Sequence, residues 1–214
     1  MTELRITEIF LSLQGEAKAV GLPTVFVRLT GCPLRCGYCD SAYAFYGGKK
    51  ISVDEILAQV RAFNVRHVCV TGGEPLAQPD VRVLLRELCD IGKSVSLETS
   101  GAMSIADVDP RVSVVMDIKT PGSGESHRNL LDNLPLLGEK DQIKFVICSR
   151  EDYEWARFKL AEWNLAERAG EILFSPSYGV VNPRDLADWI VADRLPVRMQ
   201  IQLHKLLWGD VPGV

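Results

Sequence analysis

Apolar and polar positions along the chain fall into two alternating kinds of segment. Short runs rich in β-branched and aromatic residues recur: "TVFVRL" (24–29), "HVCVT" (67–71), "SVSLE" (94–98), "VSVVMDI" (112–118), "QIKFVI" (142–147), "EILFS" (171–175) and "RMQIQL" (198–203). Runs of this length and composition are strands. Between several of them the apolar spacing changes to that of a helix buried on one side. Val53, Ile56, Leu57, Val60 and Phe63 form such a stripe, opened by Ser52 and Glu55 as a capping box. A second stripe, Val81, Leu84, Leu85, Leu88 and Ile91, ends at Gly92. A third helix is predicted from near Ser149 to about Ala169. A fourth starts at Asn182-Pro183, where asparagine caps and proline takes the first helical position. The polar stretch "TPGSGESH" (120–127) reads as a mobile loop.

Strands alternating with helices predict an α/β fold with a mainly parallel sheet and right-handed crossovers. A closed eight-unit barrel takes about 250 residues. With 214 residues and six or seven strands, a partial, open β/α barrel fits better, as one domain spanning residues 1–214. No repeat or long polar linker divides it. In such a sheet the site lies beyond the carboxyl ends of the strands. "VFVRL" is followed by a cysteine loop, "HVCV" by Thr71-Gly72-Gly73-Glu74-Pro75, "SVSL" by Glu98-Thr99-Ser100-Gly101 and "VSVVM" by Asp117-Ile118-Lys119.

Composition narrows the chemistry. Lys and Arg total 24 against 28 Asp and Glu, so no basic excess marks a surface for nucleic acid, and a small substrate is expected. No apolar run approaches the roughly 18 residues of a membrane span, and "MTELRITEIF" lacks the basic and apolar regions of a signal peptide. A cytoplasmic protein is expected, in a compartment where clustered cysteines are metal ligands or redox groups more often than disulfides. Three of the six cysteines, Cys32, Cys36 and Cys39, crowd into "GCPLRCGYCD". A structural zinc takes four closed ligands, whereas a cubane iron-sulfur cluster held by three leaves one iron open to a small molecule. Cys69, mid-strand, and Cys89, beside an apolar helix face, read as buried residues, although a fourth-ligand role or three unliganded cysteines stay open on spacing alone.

"GCPLRCGYCD" resembles the cluster loop of the radical S-adenosylmethionine superfamily, and "TGGEP" resembles its methionine-binding turn. "EIFLSLQGEAKAVGLPTVFVRLTGC" and "QLHK" are similar to the 7-carboxy-7-deazaguanine synthase family of queuosine and deazapurine biosynthesis, over nearly the whole chain. The resemblance implies a lyase that converts 6-carboxy-5,6,7,8-tetrahydropterin to 7-carboxy-7-deazaguanine with loss of ammonia. It further implies a homodimer aided by magnesium and fed by an external one-electron donor such as a flavodoxin or ferredoxin. Glycyl-radical-activating enzymes share the three-cysteine loop, and a non-catalytic zinc or iron-sulfur interaction module is the other rival reading.

By that resemblance Cys32, Cys36 and Cys39 hold a 4Fe-4S cluster whose open iron takes the amino and carboxylate groups of S-adenosylmethionine. Tyr38 packs on the adenine, and Cys39 and Asp40 lie at the same edge. Gly73 allows close backbone approach, and Glu74 accepts from the methionine ammonium. Glu98 and Ser100 suit the ribose. Asp117, Ile118 and Lys119, with Ser175, Pro176, Ser177 and Tyr178, supply further cofactor contacts. On the substrate side the resemblance points to Leu13, Gln14, Gly15, Glu16, Thr71 and His204, and to Arg28 as a fork for the pterin carboxylate. Ser41 stands where the family carries a hydroxyl ligand to magnesium. Ala17 stands where the family usually has glycine.

Overall fold

The computed structural model describes residues 2–211 and 213. Its strands are β1 (Glu3–Leu13), β2 (Pro23–Leu29), β3 (Lys49–Ser52), β4 (His67–Gly72), β5 (Ser94–Thr99), β6 (Ser113–Asp117), β7 (Gln142–Ile147), β8 (Glu171–Pro176) and β9 (Arg198–Met199). They form one sheet in the order β3-β1-β2-β4-β5-β6-β7-β8-β9. From β2 onward neighbouring strands run parallel, while β1 and β3 add an antiparallel edge. This is the open β/α barrel expected.

One face of the sheet is apolar. Val25, Val27 and Leu29 on β2, Val68 and Val70 on β4, and Ile143, Phe145 and Ile147 on β7 all join one core. Against it pack α1 (Val53–Ala62), α2 (Val81–Asp90), α3 (Arg150–Glu162) and α4 (Pro183–Asp193). Ile56, Leu84, Leu85 and Leu88 are fully buried there, each contributing on the order of 2 kcal/mol by leaving water. The capping box of α1 forms as expected: the Ser52 hydroxyl accepts from the Glu55 N–H, and the Glu55 carboxylate accepts from the Ser52 N–H. Asn182 caps α4 by accepting from the Arg184 N–H.

Four expectations need correction. The run at 198–203 is a strand only over Arg198–Met199; Leu203 already opens a further helix, α5 (Leu203–Trp208). The third helix stops at Glu162, because Asn164 takes a left-handed conformation (φ 49°) that reverses the chain into a short turn. β1 was not anticipated: its pairing with β2 slips between Ile6 and Glu8, and a bulge of this kind breaks the alternation by which strands are read. The fourth concerns residues 120–127, which are not loose. Thr120 and Ser123 are buried, and Asp152 accepts from the Thr120 hydroxyl at 3.0 Å and from the Gly122 N–H at 2.8 Å.

Candidate active site

Alternation along each strand gives one face to the core and the other to the concave side. There the register sets Glu8 opposite Arg28, Arg28 beside Thr71, and Asp117 beside Lys144. Glu98 on β5 joins this polar face through its carboxylate, which accepts from the Thr71 hydroxyl at 3.1 Å and from Gln14 Nε2 at 3.3 Å.

The loop after β2 carries Cys32, Cys36 and Cys39, all free and half-buried. The turn after β4 is pressed against it: the Glu74 N–H donates to Gly31 O at 2.8 Å, and a Cβ on Gly73 would lie 2.2 Å from the same oxygen. Only glycine permits that approach. The 120–125 segment braces the loop from the other side, with Gly37 N–H donating to Ser123 O at 3.0 Å and Arg35 N–H to Glu125 Oε1 at 2.6 Å. Among the described residues no three His, Cys, Asp or Glu side chains converge on a single ion. A cubane binds each thiolate to a separate iron, so convergence is not what it requires. Burial pushes the Cys32 thiol up and the Cys36 thiol to about 11, so cluster uptake must release their protons.

Three of the buried polar atoms without a partner among the described residues are the Tyr38 hydroxyl in this loop, Asp117 Oδ1 at the end of β6 and Ser175 Oγ on β8. An unpaired buried group costs about 1–3 kcal/mol, and a phenol, a carboxylate and a hydroxyl together suit a nucleoside-bearing cofactor. Lys119 pairs with the other Asp117 oxygen at 3.0 Å, and its ammonium lies 5.7 Å from the Tyr38 ring centre. The donor set therefore fits the cluster and S-adenosylmethionine.

Some expected contacts take another form. The Glu74 carboxylate is fully buried and already accepts from the Leu76 N–H, the Thr99 hydroxyl, and the Ser100 N–H and hydroxyl, at 2.5–3.0 Å. It ties the Gly-Gly turn to the end of β5. The Ser100 hydroxyl spends its proton on Glu74 and can only accept. The Ile118 side chain lies in the apolar core, and its N–H donates to Lys144 O. Pro176 closes β8 in register with Ile147, Ser177 N–H bonds to Ile147 O, and Tyr178 is exposed under the Lys205 ammonium.

The substrate-side residues come together. Leu13 ends β1, and the loop that follows crosses the concave face, where the Gln14 amide oxygen accepts from the Glu16 N–H and Gly15 O accepts from Leu203 N–H. A Cβ on Gly15 would strike His204, so α5 lies directly on this loop. Burial lowers the basicity of His204. Ala17 holds a left-handed backbone (φ 62°), the conformation a glycine there would favour, so the loop keeps that course with alanine. Its methyl packs on Val115 and Leu173. Arg28 Nε donates to Glu8 Oε1 at 2.7 Å, the Tyr43 hydroxyl donates to the same oxygen at 2.7 Å, and the guanidinium lies beside the Phe10 and Tyr43 rings.

Four residues of this site were not singled out from the sequence: Glu8, Tyr43, Lys144 and Gln202. Lys144 pairs with Glu16. Gln202 Nε2 donates to both Glu16 Oε1 at 2.7 Å and Asp40 Oδ2 at 2.9 Å, and Lys205 lies 3.5 Å from the same Asp40 oxygen. Glu8 and Gln202 open the quoted stretches "EIFLSLQGE" and "QLHK", and a lysine amid the apolar run "QIKFVI" was the signal for Lys144.

Residues 26–113 match the family model of the Radical SAM superfamily, the class that the open sheet and three-thiol loop define. The chain is 45% identical to the 7-carboxy-7-deazaguanine synthase of Chlorobaculum tepidum, covering 99% of this chain and 97% of that protein. It is 41% identical to the synthase of Thermoplasma acidophilum, over 98% and 99% of the two chains. The crystal structure of QueE from Escherichia coli superposes with a TM-score of 0.77 at 26% identity, over 94% of this chain and 95% of that one. The chain belongs to the 7-carboxy-7-deazaguanine synthase family. It is thus a radical S-adenosylmethionine enzyme, a class that works with a 4Fe-4S cluster, S-adenosylmethionine and a source of single electrons. Near-full-length identity to the synthases separates it from the glycyl-radical-activating enzymes and from a non-catalytic metal module. No helix among the described residues is long and apolar enough to cross a membrane.

Proposed function

We propose that the enzyme converts 6-carboxy-5,6,7,8-tetrahydropterin to 7-carboxy-7-deazaguanine, with ring contraction and loss of ammonia. The observation that carries this reading is Arg28. Its Nε is taken by Glu8, while no hydrogen bond among the described residues occupies its two terminal nitrogens. They face the concave side beside Thr71 and Glu98, a parallel pair of donors that fits a carboxylate. Gln14 and Glu16 present acceptors to the donor-rich edge of the ring. His204, whose basicity burial lowers, lies against the same loop.

Cys32, Cys36 and Cys39 would hold the cluster, and Tyr38, Asp117, Lys119 and Ser175 the S-adenosylmethionine. When bound, this pair supplies one-electron reduction and hydrogen-atom abstraction. The chain's own part is to orient the ring and keep water away, by closing the 14–18 loop and α5 over the concave face. Ser41 suits magnesium because its hydroxyl makes no capping bond in the turn that it opens. A neutral hydroxyl is a weak ligand, so the remaining oxygens come from water and from the substrate carboxylate. Electrons come from an external donor such as a flavodoxin or ferredoxin. Exposed Leu206, Leu207 and Trp208 on α5 support the homodimer.

The test is anaerobic reconstitution with iron and sulfide, followed by reduction in the presence of S-adenosylmethionine and the carboxypterin. Formation of 7-carboxy-7-deazaguanine is the expected result. Protein with an intact cluster and a competent reductant that makes none would refute this substrate assignment.

A further inference from the structure

Lys144 stands on β7 between Gln142 and Val146, and its register neighbour on β6 is Asp117. Its ammonium pairs with Glu16, both side chains being largely buried at 15% and 11% exposure, and it also faces Asp117 and Glu98. Anchoring the 14–18 loop does not require this pair. Ala17 N–H donates to Gln200 Oε1 at 2.8 Å, Lys18 N–H to Gln142 Oε1 at 2.7 Å and Leu203 N–H to Gly15 O at 3.0 Å. The Ala17 methyl adds apolar contact. A buried ion pair is also a poor anchor, since desolvation offsets much of its Coulombic gain.

What the lysine alone supplies is charge at Glu16. One Glu16 oxygen takes Lys144 and the other takes Gln202, which leaves further lone pairs for ring N–H donors. We propose that Lys144 is a positioning residue for the substrate: it holds Glu16 as a charged, fixed acceptor for the N–H edge of the ring. This rests on the pterin reading of the site.

Burial alone would push the Glu16 carboxyl up, yet the charge and hydrogen bond of Lys144 outweigh it and bring the group below its ordinary value, with Gln202 assisting and Asp40 opposing. His204 on α5 also faces Glu16, while Lys205 on α5 lies against Asp40 and Glu98 on β5 faces Lys144 and His204. Without the lysine, burial and Asp40 prevail, and Glu16 takes up a proton at higher pH.

The experiment measures binding of 6-carboxypterin, the oxidised and unreactive ring, to enzyme loaded with cluster and S-adenosylmethionine between pH 6 and 9. Each variant is compared with wild type as a ratio of Kd values. For Lys144→Met the ratio is expected to grow about tenfold from pH 9 to pH 6, with S-adenosylmethionine affinity unchanged. Lys144→Arg, which keeps the charge, should give a flat ratio near one. A Lys144→Met ratio that is flat with pH overturns the inference and leaves the substrate assignment standing. Wild-type enzyme that does not bind the pterin overturns both. If Lys144→Met does not fold, Lys144→Gln carries the same test: a ratio that grows from pH 9 to pH 6 supports the inference, and a flat ratio overturns it.

Discussion

Arg28 shows how a single side chain is divided between holding and reading. Its Nε is fixed by Glu8, which the Tyr43 hydroxyl steadies in turn, so the free end of the fork is pre-aimed. Arg28→Ala should therefore weaken carboxypterin binding by about 3 kcal/mol, roughly 100-fold in Kd, and leave S-adenosylmethionine affinity nearly unchanged. Calorimetric titration of both ligands checks this, and equal weakening of the two would mean that Arg28 supports the fold. The cysteines divide in a similar way. Alanine at Cys32, Cys36 or Cys39 should abolish the cluster and all activity, whereas alanine at Cys69, Cys89 or Cys148 retains them. Iron content and the visible absorption of the cluster measure it. Ser41→Ala should reduce the response of turnover to magnesium more than it reduces cofactor affinity, as read from magnesium titrations of both proteins.

At the scale of elements, the cysteine loop depends on a neighbour far away in sequence. Asp152, at the start of α3, accepts from the Gly122 and Cys148 N–H groups and the Thr120 hydroxyl, and thereby fixes the segment whose Ser123 carbonyl holds Gly37. Asp152→Ala leaves buried donors unpaired and should cost about 3 kcal/mol, with lowered cluster occupancy. Urea unfolding and iron analysis test the two parts separately. This dependence was not legible in the sequence, where 120–127 shows only turn-forming residues; a buried aspartate thirty residues on decides whether such a stretch is loose or pinned. The strand at 142–147 was legible to the residue, because an apolar run between polar boundaries has one reading. β1 was not, because its bulge spoils the alternation. Within the site, contiguous motifs such as the cysteine loop and the Gly-Gly turn could be read directly. Gln202 stands in the "QLHK" motif, but its meeting with Glu16 across 186 positions of sequence has no local signal, and neither have the bonds of Glu74 to hydroxyls at the end of another strand.

For the whole molecule, ionisable groups predict a stability plateau with two edges. Glu16 is buried and Asp40, 44% exposed at its side chain, is partly desolvated, which raises both. Lys144 at Glu16 and Gln202 at Asp40 lead the opposing influences, which outweigh burial and bring both below the ordinary carboxylate range. Their contribution is thus present above the unfolded-chain values of about 4 and lost as pH falls through the lower folded values. Burial raises the Cys148 thiol to about 12 and holds Cys69 well above its ordinary range. Folded thiols then keep protons that the unfolded chain releases, so stability declines as pH rises from about 9 toward 12. Burial also lowers His204 below its ordinary value, so the unfolded chain takes up a proton there once pH falls below about 6.5. Melting temperatures of the cluster-free protein should be flat between about pH 7 and 9 and fall on both sides.

The alternation of the strands has a consequence for how such an enzyme can change over generations. Thr71, Glu98 and Lys144 share the concave face, while their neighbours Val70, Leu97, Ile143 and Phe145 belong to the apolar core. On the proposed reading of the site, a substitution at one of the first three changes the face toward the small molecule and leaves the apolar side of the sheet as it is. Selection can therefore act on substrate choice and on folding through separate sets of positions, interleaved one residue apart.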